Sequence, residues 1–72
     1  MAVVTGKASL KKFSREITLP QPVFVSEIPE ILGMDAEYHE NIIVTRDNRV
    51  LMQDELIFDG DEVEIFIAVM GG

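Results

Sequence analysis

The 72-residue chain contains no cysteine and no tryptophan, and its only histidine is His39. Without cysteine there is no disulfide, no thiolate nucleophile and no thiolate metal ligand, so any sulfur chemistry must use groups of another molecule. His39 lies among scattered carboxylates that lack the fixed spacing of a metal site, and we interpret its surroundings as a solvated loop. One histidine in so small a scaffold also excludes a credible Ser/His/Asp arrangement.

Long apolar runs and basic charge are also scarce. No apolar stretch approaches the roughly 18 residues needed to span a bilayer, and the start of the chain lacks the basic and apolar regions of a signal peptide. Thirteen acidic residues against six basic ones give a net charge of −7, which repels nucleic acids and anionic lipids. We therefore expect a cytoplasmic protein that binds neither nucleic acid nor membranes.

The acidic charge is concentrated between Asp54 and Glu64, whereas most basic residues lie between Lys7 and Arg15. An acidic face of this kind favours docking on a basic protein surface, mainly by steering the encounter. Ordinary solubilising charge is the alternative interpretation for any single residue. The acidic segment holds Asp54, Glu55, Asp59, Asp61, Glu62 and Glu64.

Hydrophobic residues make up 47% of the chain, which is enough for one compact core and argues against disorder. No linker, repeat or low-complexity segment divides the sequence, so residues 1–72 form a single domain, with a flexible tail expected at about 69–72. Strand patterns and turn residues predict strands at 3–10, 16–19, 42–45, 50–52 and 62–69.

One short helix is predicted between the second and third strands. Ser26 is a candidate N-cap that would place Pro29 in the first turn, and Gly33 lies where a left-handed residue would end the helix. The predicted helix spans about 27–34. Its apolar stripe consists of Val25, Ile28, Ile31 and Leu32.

The last strand is the longest and most apolar, so we expect it at the centre of the sheet, beside the first strand and parallel to it. Alternation places Phe66 on the open face, away from the helix. The residues predicted to face the helix are Val63, Ile65, Ile67 and Val69.

The chain ends in Gly71-Gly72, and a glycine carboxylate has no side chain to obstruct a narrow channel or an attacking group. Together with this ending, the segment 24–35 and the turn Asp59-Gly60-Asp61 before an apolar strand resemble the ubiquitin-like sulfur carriers of the ThiS/MoaD family. The resemblance covers nearly the whole chain. It implies an α+β, ubiquitin-like β-grasp fold, with a mixed four- to five-stranded sheet and one short helix packed on one face.

The resemblance also implies a carrier rather than an enzyme. A ubiquitin-activating-enzyme-like adenylyltransferase would use ATP and magnesium to adenylate Gly72, and a sulfur donor protein would convert that acyl group to a thiocarboxylate. A sulfur-accepting synthase would then receive the sulfur for thiamine, molybdopterin or a related product. Gly71 would give the tail room to enter a partner. Gly60 has no glycine partners at phosphate-loop spacing, so ATP would be bound by the partner.

Three apolar residues are candidates for partner docking: Phe66, Phe58 and Met70. Phe66 would be an anchor on the open face, or a side chain folded over its neighbours. Phe58 would dock a partner or fold against the core beside a buried Ile57. Two other functions stay open: a protein modifier conjugated through Gly72 to target lysines, and an interaction domain whose glycine ending is incidental.

Overall fold

The computed structural model describes residues 1–68. Predictions that concern Val69, Met70, Gly71 and Gly72 therefore lie outside the described residues. The strands are β1 (Ala2–Gly6), β2 (Arg15–Ile17), β3 (Val23–Phe24), β4 (Ile42–Arg46), β5 (Arg49–Val50), β6 (Leu56–Ile57) and β7 (Glu62–Ile67). The helix α1 (Ile28–Ile31) is accompanied by three 3-10 helices, Ala8–Phe13, Val25–Glu27 and Ala36–Tyr38.

Five strands form a mixed sheet in the order β2-β1-β7-β4-β5, and β3 pairs with β6 in a separate two-stranded ribbon. β7 is parallel to β1, with Val4 opposite Val63, and antiparallel to β4, with Val44 opposite Ile65. The predicted central position of the last strand is confirmed. The mixed sheet with one short helix is consistent with the ubiquitin-like β-grasp fold.

The core lies between α1 and one face of the sheet. Val63 and Ile65 of β7 are 2% and 0% exposed, and Ile28 of α1 is fully buried. Each such side chain contributes roughly 1.5–3 kcal/mol when it leaves water. The predicted burial is confirmed for Val63 and Ile65, whereas Ile67 is only partly buried at the edge of this core.

The prediction that the first strand continues to Leu10 is wrong. β1 ends at Gly6, and Ala8, with φ 50°, begins a 3-10 helix over Ala8–Phe13. Leu10 is fully buried and Phe13 partly buried. Residues three apart lie on one side of a 3-10 helix. This spacing lets the side chains of Leu10 and Phe13 cover the core. The sequence pattern had instead been interpreted as a strand that continues to Leu10.

The predicted N-cap of the helix is wrong, although the predicted start near Glu27 and the place of Pro29 in the first turn are confirmed. The N-cap of α1 is Glu27, not Ser26, and a 3-10 turn at Val25–Glu27, capped by Phe24, precedes the helix. The backbone N–H of Phe24 donates to a carboxylate oxygen of Glu27 at 2.8 Å. This bond is the half of a capping box in which a glutamate accepts the N–H of the residue three positions earlier. Glu27, not Ser26, therefore makes the side-chain hydrogen bond that closes the turn before α1.

The α-helix is shorter than predicted because it stops at Ile31. Gly33 has φ +72° and donates its N–H to Glu30 O at 3.0 Å, which confirms the predicted left-handed residue at the end of the helix. None of the helices in residues 1–68 has the length and apolar character needed to cross a bilayer.

The second hairpin is confirmed, but its second strand is shorter than predicted. β4 and β5 are joined at Asp47 and Asn48, whose φ angles of 55° and 64° match a tight hairpin turn. β5 ends at Val50, and the N–H of Leu51 donates to Val44 O at 2.8 Å. Leu51 is buried whereas Met52 is 66% exposed, so the chain leaves the sheet here.

Gly6→Ala should destabilise the protein by about 3 kcal/mol, because the new methyl group would overlap the carbonyl oxygen of Leu10. Urea unfolding monitored by circular dichroism measures the change. Gly33→Ala is the matched control: its φ is positive but no atom lies within 4 Å, so it should cost only about 1 kcal/mol. Equal losses for the two variants would contradict the proposed overlap at Gly6.

Candidate functional site

The C-terminal end of β7 defines the place where the chain leaves the scaffold. The N–H of Ala68, the last described residue, donates to Asn41 O at 2.7 Å. We call this hydrogen-bonded pair the tail root. It fixes the origin of the segment that contains the predicted attachment residue Gly72, the access residue Gly71 and the docking residue Met70, all of which lie beyond the described residues.

The loop that holds Asn41 is braced from inside. The Asn41 side-chain amide donates to Glu37 O at 2.9 Å, and its backbone N–H donates to Tyr38 O at 3.0 Å. Tyr38 also packs edge-on against Phe13, with ring centroids 5.8 Å apart. These contacts tie the tail root to two 3-10 helices as well as to β7.

His39 belongs to the same loop. Its Nε2 lies 3.0 Å from Met34 O, and since a carbonyl oxygen only accepts, this nitrogen carries the proton. His39 is exposed. Among residues 1–68 no group of three or more His, Asp or Glu side chains could hold a metal ion. The side chain therefore braces a solvated loop in this structure.

The open face of the sheet is apolar near the tail root. Phe66 lies opposite Ile43 in the β4–β7 pair, and both side chains are half-buried on the face away from α1. The predicted placement of Phe66 on the open face is confirmed. Its neighbourhood along β7 combines partial exposure with an apolar partner, which is what a small docking anchor requires.

The other half of the open face is acidic. A cleft of about 320 Å³ lies near the start of β7 and the β4–β5 turn. Glu64 at this cleft pairs with Lys7, with 3.0 Å between Nζ and the carboxylate oxygen. The open face thus changes from polar and partly acidic to apolar toward the tail root. The polar residues of the cleft are Thr5, Thr45, Asp47, Asn48, Glu62 and Glu64.

The turn Asp59-Gly60-Asp61 confirms its predicted structural role. One oxygen of Asp61 accepts from Arg46 Nη1 at 2.7 Å and from the N–H of Phe58 at 2.9 Å. Gly60 has φ +97°, a conformation that glycine adopts without strain. The carboxylate of Asp61 is therefore engaged inside the chain and holds the start of β7 in place.

Phe58 lies on a different surface from Phe66. Ile57 is fully buried and Phe58 is 47% exposed, so the interpretation in which Phe58 folds against the core is wrong. Two further exposed apolar side chains lie beside it in the β3–β6 ribbon: Phe24 and Leu56. The sequence analysis missed both. Alternation around the buried Ile57 could have indicated Leu56, whereas the place of Phe24 beside it follows from the pairing of β3 with β6.

The family model of the ThiS family matches residues 3–72. This chain belongs to the ThiS family. Its members are small sulfur carriers in biosynthesis rather than enzymes, and they work with an activating enzyme and with sulfur-transfer partners. A search of curated proteins finds no significant match.

In this ThiS-family chain the buried interior is apolar. Within residues 1–68, no buried side-chain nitrogen or oxygen lacks a hydrogen-bond partner, and no polar or charged residue is buried.

The turn before β7 also carries a perturbed carboxylate. The N–H of Leu19 donates to Asp59 Oδ1 at 3.0 Å, and the N-terminal ammonium of Met1 lies 3.3 Å from Oδ2. The Leu19 hydrogen bond first and the ammonium second hold the pKa of Asp59 below its ordinary value. A carboxyl group with a lowered pKa stabilises the folded state above its unfolded pKa and loses this contribution as the pH falls.

We expect Asp59→Asn to lower the midpoint of urea unfolding at pH 7, because the amide cannot keep the charge interaction with the N-terminus. The difference from wild type should shrink as the pH falls below about 4, where the wild-type carboxyl group becomes protonated. Unfolding midpoints measured from pH 2.5 to 7 in low salt test this. A difference that stays constant across the series would contradict the charge-based explanation.

Proposed function

We propose that this chain carries sulfur as a thiocarboxylate on Gly72 and delivers it to a synthase for thiamine, molybdopterin or a related product. Membership of the ThiS family supports the carrier role. The structural observation that carries the proposal is the tail root: the central strand ends at Ile67, and Ala68 is tied to Asn41 by a 2.7 Å hydrogen bond. Gly71 and Gly72 are the third and fourth residues after this fixed point.

The length of the tail limits where a partner can bind. Four residues, 69–72, follow Ala68, and an extended chain of that length spans at most about 14 Å. A partner's reactive site must therefore lie within that distance of the tail root. The apolar pair Phe66 and Ile43 is on the adjacent part of the open face, and docking there would hold the partner close enough.

The chemistry requires little from the carrier itself. A carboxylate oxygen of Gly72 attacks the α-phosphorus of ATP on the activating enzyme, and pyrophosphate leaves. A sulfur nucleophile then attacks the acyl carbon and AMP leaves. Sulfide yields the thiocarboxylate directly, whereas a persulfide yields an acyl disulfide that a thiol reduces, with a disulfide as the other product. The carrier supplies no cysteine, and Gly71 offers no side chain to obstruct entry.

Removal of Gly71 and Gly72 should abolish AMP transfer to the chain by its adenylyltransferase, because the reacting carboxylate is displaced by two residues. The scaffold should be unaffected, since both glycines lie beyond the described core. Radiolabelled AMP transfer measures the first effect and urea unfolding the second. Normal adenylation of the shortened chain would refute the attachment at Gly72.

The chemical state of the C-terminal glycine distinguishes a sulfur carrier from a protein modifier. Mass spectrometry of the chain recovered from its host should detect exchange of one terminal oxygen for sulfur at Gly72. Branched Gly-Gly-lysine peptides on other proteins, without that exchange, would favour conjugation to target lysines. An unchanged terminus in cells that depend on the protein would favour the simple interaction domain.

Phe66→Ala should raise KM for the carrier in the adenylation reaction about tenfold with little change in kcat, because an interface anchor contributes more than about 1 kcal/mol to docking. Phe58→Ala is the matched control, since Phe58 lies at the opposite end of β7. Met70→Ala should have a smaller effect in the same direction. If the Phe66 variant has the wild-type KM, Phe66 is not part of the docking surface.

A further inference from the structure

A second apolar surface lies on the β3–β6 ribbon. Phe24 is directly opposite Leu56 in the ribbon, and Phe58 lies two residues beyond Leu56, on the same side because side chains alternate along an extended chain. The three side chains are 48%, 38% and 47% exposed, respectively. We call Phe24, Leu56 and Phe58 the ribbon surface. Two aromatic rings and a leucine together on the outside resemble the centre of a protein interface more than a solvated face.

The ribbon surface is held rigidly. The N–H of Val25 donates to Glu55 O at 2.9 Å, which continues the pairing of the two strands. Arg46 Nη1 donates to Leu56 O at 3.0 Å, and the N–H of Asp61 donates to Phe58 O at 3.0 Å. Little conformational entropy would be lost when such a fixed backbone binds a partner, which favours affinity.

The ribbon surface and the tail root lie at opposite ends of β7. Phe58 is bonded through Asp61 to the start of this strand, and the tail root is at its end. The six residues of Glu62–Ile67 span roughly 17 Å at about 3.3 Å per residue. The ribbon surface and the tail root are thus separated by about the length of β7, which is the arrangement that simultaneous binding of two proteins requires.

The charge around the ribbon surface is acidic. Two cations lie near it, and each is already paired: Arg46 with Asp61 at 2.7 Å and Arg49 with Glu55 at 3.2 Å. The N–H of Met52 and then Arg49 hold the pKa of Glu55 below its ordinary value, so this carboxylate stays ionised. These pairs neutralise the carboxylates as well as the cations, and Asp59 is paired with the N-terminal ammonium at 3.3 Å. The excess negative charge near the ribbon along the chain therefore comes from Glu27 and Asp54.

The negative charge near the ribbon surface favours some kinds of binding partner over others. A second copy of the chain would bring two acidic rims together, and like charges facing each other oppose association. Nucleic acids and anionic membranes are repelled for the same reason. A protein with an apolar contact surrounded by lysine or arginine satisfies both the exposed rings and the acidic rim.

We propose that the ribbon surface docks a basic protein partner that binds the carrier at the same time as an enzyme holding the C-terminal tail. The partner's apolar contact covers Phe24, Leu56 and Phe58, and its lysines or arginines face the acidic rim. Simultaneous binding rests on the proposed function of Gly72, whereas the docking itself does not.

Photo-crosslinking in the native host tests the docking. The full chain carries p-benzoylphenylalanine in place of Phe58, and crosslinked proteins are identified by mass spectrometry, then purified and titrated against the wild-type carrier. We expect a basic protein other than the adenylyltransferase, crosslinked equally well when Gly71 and Gly72 are deleted. Its Kd should rise at least tenfold with the double variant Phe24→Ser/Phe58→Ser. Crosslinks only to a second copy, only to the adenylyltransferase, or to no protein would overturn the proposal.

A matched pair of charge variants tests the acidic rim. Asp54→Asn removes one negative charge beside the ribbon, and Glu37→Gln removes one from the loop at the tail root. The first should weaken binding of the purified partner severalfold at low salt and the second should leave it unchanged. Equal effects would show that only net charge matters and would overturn the assigned contact.

The adenylation assay separates failure of this inference from failure of the proposed function. Phe24→Ser/Phe58→Ser should be adenylated with wild-type KM and kcat, because the ribbon surface is remote from the tail root, and its urea unfolding should confirm that it folds. In the simultaneous-binding test, the carrier saturated with adenylyltransferase should still bind the purified partner. Competition between the adenylyltransferase and the partner would overturn simultaneous binding. In that case, loss of adenylation after removal of Gly71 and Gly72 would still support the carrier role.

Discussion

The architecture depends on β7 being paired on both sides. It is hydrogen-bonded to β1 in parallel and to β4 in antiparallel orientation, so its backbone polar groups are satisfied while Val63 and Ile65 leave water against Ile28. Those two requirements, paired backbone and buried side chains, are met together only at the centre of the sheet. The strand therefore has a fixed place in the sheet, which sets the positions of Asp61 before its start and of Ala68 after its end.

The two ends of β7 serve different purposes. Before its start, the carboxylate of Asp59 accepts hydrogen bonds from the N-terminal ammonium and from the N–H of Leu19. The carboxylate of Asp61 accepts from Arg46 and from the N–H of Phe58. At its other end a single backbone bond from Ala68 to Asn41 marks the tail root. The start of β7 is therefore held by several side-chain hydrogen bonds, whereas its end is held by backbone pairing to the loop of Asn41.

The sequence predicted β7, the parallel pairing and the open-face position of Phe66 because a long apolar strand with strict alternation leaves few alternatives. The predictions of a strand that continues to Leu10 and of an N-cap at Ser26 were wrong. Both residues lie in short segments that are stabilised by contacts which local patterns do not specify. Leu10 is buried in a 3-10 helix, and the carboxylate of Glu27 accepts the N–H of Phe24 in the turn before α1. Such short elements have little intrinsic preference, so tertiary packing decides their form.

The sequence alone determined the absence of cysteine, the net negative charge and the two glycines at positions 71 and 72, since these are covalent properties of the chain. It also contained the motifs whose resemblance to the ThiS/MoaD family implied the fold class. Only the tertiary structure decided that Asn41 anchors Ala68 and that Phe24 joins Leu56 and Phe58 on one surface. Those neighbours are 27 or more residues apart in sequence, and their proximity follows from how the strands pair, which no local pattern encodes.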